Sequence, residues 1–128
     1  MKFQQVLETW VPPFKNAFSG LKHIYQTERN FRIHFCISLI VLALLGLFKA
    51  PSIEWALIIL VIGLVVSAEI LNTAIEIMVD IYCPYYHPLA KISKDVGAAA
   101  VLFTAFISVL VGLFVFIPHI LSWLSTWR

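Results

Sequence analysis

Three long apolar runs dominate this chain of 128 residues. They extend from Ile33 to Phe48, from Trp55 to Ala68 with a helical continuation toward Pro84, and from Ala98 to Ile117. The hydrocarbon core of a bilayer needs about 20 mainly apolar residues per helix. The runs therefore predict an all-α integral membrane protein with three transmembrane helices, at about 31–49, 53–82 and 96–118.

The composition supports a membrane protein of one domain, residues 1–128. Hydrophobic residues make up 61% of the chain and charged residues 12%, whereas a soluble domain averages about half and about a quarter. A net charge of +2 is too small to indicate a nucleic-acid partner. Two cysteines, Cys36 and Cys83, are too few to form the disulfide framework of a small secreted protein, so we expect both to be reduced. Because one bundle of this size encloses little space, we also expect self-association.

The amino-terminal segment has helical periodicity of its own. From Phe14 onward, apolar residues recur at spacings of three and four, with Lys15, Lys22 and His23 between them. This pattern predicts an amphipathic helix over about 3–29 that lies on the membrane surface. The alternative is a soluble helix that packs its apolar face on the bundle.

The positions of the cations predict the orientation in the plasma membrane. Five of the nine Lys and Arg residues precede the first span, and Lys91 and Lys94 lie between the second and third. Lys49 and Arg128 are the remaining cations. Since cytoplasmic loops carry an excess of Lys and Arg, the amino terminus and the Lys91 loop are predicted to be cytoplasmic.

A polar stripe occupies one face of the second apolar helix. Glu69, Asn72, Glu76 and Asp80 are spaced by three, four and four residues, which places them on one side of a helix. Counted from Trp55 at about 1.5 Å per residue, Glu69 lies about 21 Å deep and Glu76 about 31 Å. An ionisable group at membrane depth is a functional candidate. The alternative is that these acids solvate the helix end or pair with Lys91 and Lys94.

The cytoplasmic side adds residues suited to phosphate chemistry. Glu28 precedes the first span, and the segment Tyr85 to Asp95, expected to be a loop, carries two lysines. Grouped carboxylates suit Mg²⁺, and a lysine suits a phosphate. The glycine pattern of a P-loop is missing from the sequence, which excludes a P-loop enzyme. The residues predict a carboxylate and metal site that serves either a lipid enzyme or an ion or proton pathway.

A small cation or proton transporter is the rival interpretation, with Glu69 as the intramembrane binding group. A transporter needs a polar path to the far side, but Trp55 to Val66 holds no polar side chain. The other two spans offer only Ser38, Thr104 and Ser108. The polar residues are concentrated at the inner end, which favours an enzyme.

Several motifs then resemble one known family. The stretch Ala68 to Glu76, followed by Val79-Asp80, His87 to Lys91, Lys94-Asp95 and Ala99 to Leu102, is similar to the prokaryotic diacylglycerol kinase family. The stretches Asn30 to His34 and His87 to Lys91 look more like its Gram-positive branch, whose members are undecaprenol kinases. The resemblance covers nearly the whole chain, including Glu28.

The resemblance implies a homotrimer with active sites shared between subunits. It implies transfer of the γ-phosphoryl group of MgATP to a membrane lipid alcohol, undecaprenol or alternatively diacylglycerol. Glu69 would contact the lipid and act as general base, with Asn72 in support. Glu28 and Glu76 would hold Mg²⁺ on the ATP phosphates. The remaining nucleotide contacts would come from Tyr86, His87, Lys94 and Asp95.

Some residues depart from the family pattern or lie outside it. Tyr85, Asn16 and Gly97 differ from residues common at those positions. His34 and Cys36, at the start of the first span, are interpreted as packing residues rather than ligands. His23 and His119 have no partner at metal-ligand spacing in the sequence.

Overall fold

The structure, a computed structural model, describes residues 3–126, with side chains from residue 11 onward. Four helices follow one another: α1 Phe3–Thr27, α2 Arg29–Leu47, α3 Ser52–Tyr82 and α4 Pro88–Ser125. No strand occurs within residues 3–126. Helices α2, α3 and α4 are each long and apolar enough to cross a membrane. The predicted all-α architecture with three candidate spans and an amino-terminal helix is therefore confirmed.

The junction between α1 and α2 is a single extended residue, Glu28, with φ −93° and ψ 113°. Arg32 stabilises this break, because its Nη1 donates to the carbonyl oxygens of Tyr25 and Gln26 at 3.1 and 3.0 Å. A cation at a helix carboxyl terminus also interacts favourably with the helix dipole. The rings of Tyr25 and Phe35 meet edge to face, with centroids 5.9 Å apart. These contacts hold the end of α1 against the first turns of α2.

The amphipathic character of α1 leaves large apolar side chains uncovered. Phe14 and Phe18 are 63% and 70% exposed, whereas Ile24 near the end of the helix is buried. Within this chain α1 therefore contacts the bundle mainly through its last turns. Its position at a membrane surface stays a prediction from the sequence.

Helix α4 begins earlier and ends later than its apolar run. Pro88 opens the helix, and His87 caps it by accepting a hydrogen bond at Nδ1 from the Leu89 amide at 3.2 Å. Residues 88–95, which we expected to lie in a loop, therefore form the first two turns of α4. The helix also continues through Pro118 to Ser125. A proline removes one backbone donor, and neighbouring groups in a bundle make that loss tolerable in a membrane helix.

Helix α3 is the centre of the bundle. It packs along α4 over most of its length and, less extensively, against α2. Leu45, Ile58 and Val115, one from each of α2, α3 and α4, form a buried cluster near the end where α3 begins. Toward the other end of α3 the buried side chains are polar, namely Glu69 and Thr73. The fold thus places a dry apolar core at one end and the polar stripe at the other.

Candidate functional site

Glu69 is the most deeply buried carboxylate of the stripe, with 3% of the residue exposed. Its Oε1 lies 3.4 Å from Nε2 of His34 on α2. That distance allows an ion pair, but the geometry is not that of a hydrogen bond, and Oε1 has no other partner among the described residues. Thr73 donates to the Glu69 backbone carbonyl at 3.0 Å and leaves the carboxylate free. Glu69 therefore presents a buried acceptor oxygen that lacks a hydrogen-bond donor within residues 11–126.

One turn further along α3, Asn72 and Glu76 form a second unit. Asn72 Nδ2 donates to Glu76 Oε1 at 2.8 Å. Asn72 Oδ1 is buried and, within the described part of the chain, has no hydrogen-bond partner. A Cβ placed on Gly97 of α4 would lie 2.5 Å from this oxygen. Gly97 is thus the residue that lets α4 approach Asn72.

Asp80 is the last acid of the stripe, and it pairs with Lys94 of α4 through Oδ1 and Nζ. The interpretation that the inner acids pair with lysines therefore holds for Asp80. Lys91 pairs with Asp95 one turn along α4. Both pairs are partly or largely exposed, so each contributes little to stability. They position two ammonium groups beside the α3–α4 connection.

A cavity of about 400 Å³ lies beside these pairs. Its walls include all four residues to which the resemblance assigns only nucleotide contacts: Tyr86, His87, Lys94 and Asp95. Tyr86 is 81% exposed, which leaves its ring free to lie against a ligand. The predicted nucleotide residues are thus brought together in one place, and Tyr85 joins them.

The two candidate metal ligands are arranged differently. Glu28 and Glu76 both lie close enough to Glu69 to act on it electrostatically. The Glu28 side chain makes no capping hydrogen bond to α2, which keeps its oxygens available. Among the residues that the structure describes, however, no group of three or more His, Cys, Asp or Glu side chains is arranged to hold a metal ion. The described side chains therefore do not by themselves form a complete protein cage for a cation.

These oxygens nevertheless fit Mg²⁺ bound together with ATP. Mg²⁺ takes oxygen ligands and commonly uses one or two carboxylates plus substrate phosphates. Asn72 orients one of these carboxylates by donating to Glu76, while its own buried Oδ1 faces Gly97 of α4. The donor set of Glu28 and Glu76 is therefore rich in oxygen and incomplete without a substrate.

Two features of the site were missed by the sequence analysis. His34, interpreted as a packing residue, contacts Glu69 and lines an apolar cavity of about 240 Å³ between α2, α3 and α4. Gly97 was noted only as a departure. His34 belongs to the stretch Asn30 to His34, which resembles the family. The periodicity of α2, however, does not indicate which side chain of α3 His34 faces.

Comparison with known proteins gives a consistent result. The sequence profile of the family described as prokaryotic diacylglycerol kinase matches residues 15–116. An undecaprenol kinase of Bacillus subtilis is 41% identical over 89% of this chain and 93% of its own length. A diacylglycerol kinase of Synechocystis is 39% identical over 92% of this chain and 68% of its own. For a diacylglycerol kinase of Escherichia coli K12 the identity is 33%, over 73% and 77%. The chain belongs to the prokaryotic diacylglycerol kinase family and is a lipid kinase.

Proposed function

We propose that this lipid kinase transfers the γ-phosphoryl group of MgATP to the hydroxyl of undecaprenol. The relative at 41% identity is named for undecaprenol and is matched over nearly its whole length. The alternative substrate is diacylglycerol, for which the relative at 39% identity is named. Both alcohols place a primary hydroxyl near the membrane interface, and both require the same chemistry.

The observation that carries the proposal is the order of groups along α3. Glu69 is buried and has a free acceptor oxygen, Glu76 lies two turns nearer the helix end, and Asp80 with Lys94 follows beside the 400 Å³ cavity. A lipid hydroxyl approaches from the bilayer, whereas ATP approaches from water. One helix face thus carries the candidate base on the bilayer side and the candidate phosphate contacts on the water side.

In the proposed mechanism, Glu69 accepts the proton of the lipid hydroxyl as the alcohol oxygen bonds to the γ-phosphorus. The bond from the γ-phosphorus to the bridging oxygen breaks, and ADP leaves with that oxygen. Phosphoryl transfer is promoted mainly by positioning and charge neutralisation, and a base orients the nucleophile. Lys94 supplies a positive charge to the phosphates, and Tyr86 and His87 border the nucleotide. No covalent enzyme intermediate is required.

Magnesium enters this proposal as a ligand of the nucleotide. Glu28 and Glu76 would hold it, with Asn72 keeping the Glu76 carboxylate in place through the 2.8 Å hydrogen bond. When bound, the ion neutralises charge on the phosphates.

The proposal extends to assembly and orientation. We propose a homotrimer in the plasma membrane, with active sites shared between subunits and facing the cytoplasm. Two observations support sharing: among residues 11–126 Glu28 and Glu76 belong to no group of three or more side chains that could hold a metal ion, and many large apolar side chains there are exposed. The excess of cations before α2 and in its first turn supports the cytoplasmic side.

The test is a phosphorylation assay in mixed micelles with undecaprenol and diacylglycerol offered separately. Wild type is expected to phosphorylate undecaprenol with the higher kcat/KM. Glu69→Gln is expected to abolish turnover and to leave MgATP affinity, measured by calorimetry, within about twofold, because only the base is removed. Glu54→Gln is the matched control, since it changes a carboxylate at the opposite end of the same helix.

Two outcomes would contradict the proposal. A higher kcat/KM for diacylglycerol would reverse the substrate assignment. Full turnover by Glu69→Gln would remove Glu69 from the role of base.

A further inference from the structure

His34 occupies the boundary between the apolar cavity and the buried carboxylate. It lies in the second turn of α2, its side chain is 24% exposed, and its ring lines the 240 Å³ cavity. Ser38 donates to the His34 backbone carbonyl at 2.7 Å, a contact that leaves both ring nitrogens uncommitted. The backbone of α2 thus places the imidazole so that its Nε2 lies near Glu69.

The electrostatic surroundings of Glu69 make this neighbour important. Besides His34 on α2, the charged groups that act on Glu69 are two carboxylates, Glu28 before α2 and Glu76 on α3. Both repel a negative charge. On α4, Lys94 is engaged by Asp80, the last acid of the stripe. Among the described residues, His34 is therefore the group that offers Glu69 a favourable partner.

Burial makes a hydrogen-bond donor necessary for Glu69. A carboxylate taken out of water is costly unless its oxygens receive hydrogen bonds. Oε1 has none among residues 11–126, and Nε2 of His34 is 3.4 Å away. Hydrogen bonds in active sites are often long without substrate and shorten when it binds. The two atoms are thus already close, and alignment of the N–H with Oε1 is what the hydrogen bond still needs.

We propose that His34 is the positioning residue of the general base. Its ring N–H donates to Glu69 Oε1 and fixes the orientation of the carboxylate, which leaves Oε2 to accept the proton of the lipid hydroxyl. His34 forms no bond with the substrate, and the proton of the hydroxyl goes to Glu69. This inference rests on the proposed role of Glu69 as base.

The test compares His34→Leu with His34→Gln. The two replacements are similar in size, but only Gln keeps an N–H donor. His34→Leu also removes a polar group from an apolar helix, so membrane insertion is not opposed. His23→Leu, a change at an exposed histidine of α1, is the matched control. The measurements are kcat, KM for lipid and KM for MgATP in mixed micelles.

His34→Leu is expected to lower kcat roughly 10- to 100-fold, as for loss of a hydrogen bond to a charged group, with the KM for MgATP within about twofold. His34→Gln is expected to recover most of kcat, and His23→Leu to match wild type. Full kcat in His34→Leu would overturn the inference. Equal losses in the Leu and Gln variants, with a parallel rise in the KM for MgATP, would also overturn it, because they indicate a packing defect.

Glu69→Gln, measured in parallel, distinguishes failure of the proposed base from failure of the proposed role of His34. If Glu69→Gln retains turnover, the proposed base is wrong and the inference fails with it. If Glu69→Gln is inactive and His34→Leu is fully active, the base stands and only the role of His34 is rejected.

Discussion

The Oδ1 atom of Asn72 occupies the space beside Gly97 that any larger residue would need. A Cβ at position 97 would lie 2.5 Å from this oxygen, well inside van der Waals contact. The amide nitrogen of the same side chain donates to Glu76. The close approach of α4 to α3 and the orientation of a candidate metal ligand are therefore parts of one arrangement.

Gly97→Ala is expected to lower activity more than stability. The clashing atom is the end of a side chain, so Asn72 can rotate away, and its bond to Glu76 is then lost. Loss of a hydrogen bond to a charged group is worth about 1.5–3 kcal/mol, or at least tenfold in kcat. The unfolding free energy should fall by less than that amount, because alanine favours a helix over glycine by about 1 kcal/mol and offsets part of the loss.

The measurements are kcat in mixed micelles and equilibrium unfolding in detergent. Gly46→Ala is the control, since no described atom lies within 4 Å of its added Cβ. An active Gly97→Ala variant would show that the Asn72 orientation is dispensable.

Glu28→Gln and Glu76→Gln are each expected to raise the Mg²⁺ concentration needed for half-maximal activity by about tenfold. Each change keeps the shape of the side chain and removes one charged oxygen ligand, which weakens binding of a hard cation. A titration of lipid phosphorylation with Mg²⁺ at saturating ATP measures the shift, and excess Mg²⁺ should restore part of the activity. An unshifted titration in both variants would place the ligands elsewhere. Glu54→Gln should titrate like wild type.

Lys94→Ala is expected to raise the KM for MgATP by roughly tenfold or more, through loss of a charge-assisted contact worth about 1.5–3 kcal/mol. Asp80→Asn tests whether the ion pair with Lys94 matters by itself. The pair is largely exposed, with 36% and 65% of the two side chains accessible, so its own contribution should be small. We therefore expect the KM in Asp80→Asn to change by less than about threefold. Equal increases in both variants would mean that Asp80 holds Lys94 for the phosphate.

The polar stripe could be predicted from the sequence because it depends on the period of one helix. Spacings of three and four put Glu69 and Asp80 on one face whatever packs against them. The three candidate spans likewise follow from run length and composition. Local rules of this kind need no knowledge of neighbouring helices.

The contacts between helices could not be predicted in the same way. That His34 meets Glu69 and Gly97 meets Asn72 depends on how α2 and α4 are rotated about their axes and where they cross α3. Periodicity gives the face of a helix but not its partner. The beginning of α4 was missed for a local reason: His87 and Pro88 together form a helix start, although each alone is also typical of a turn.

At the end of the bundle opposite the stripe, a contact between α3 and α4 is expected to affect stability rather than activity. His119 Nε2 and Glu54 Oε2 are 2.7 Å apart, and about a quarter of each side chain is exposed. The Phe48 ring stacks on the His119 ring, with centroids 5.5 Å apart. This contact ties the beginning of α3 to the last turns of α4 and to the end of α2.

His119→Phe keeps an aromatic ring against Phe48 and removes the bond to Glu54. We expect it to lower the unfolding free energy by about 1 kcal/mol, the typical net value of a hydrogen bond. Because the pair is partly exposed, the larger value for hydrogen bonds to charged groups does not apply. Glu54→Gln should cost less, since the amide oxygen still accepts a hydrogen bond. In the His119→Phe background Glu54→Gln should cost nearly nothing, because residues in direct contact are not additive. Detergent unfolding of the four proteins measures this coupling, and strictly additive losses would show that the two side chains do not interact. Phosphorylation at 25 °C should be unchanged in all of them, because the pair lies at the far end of α3 from Glu69.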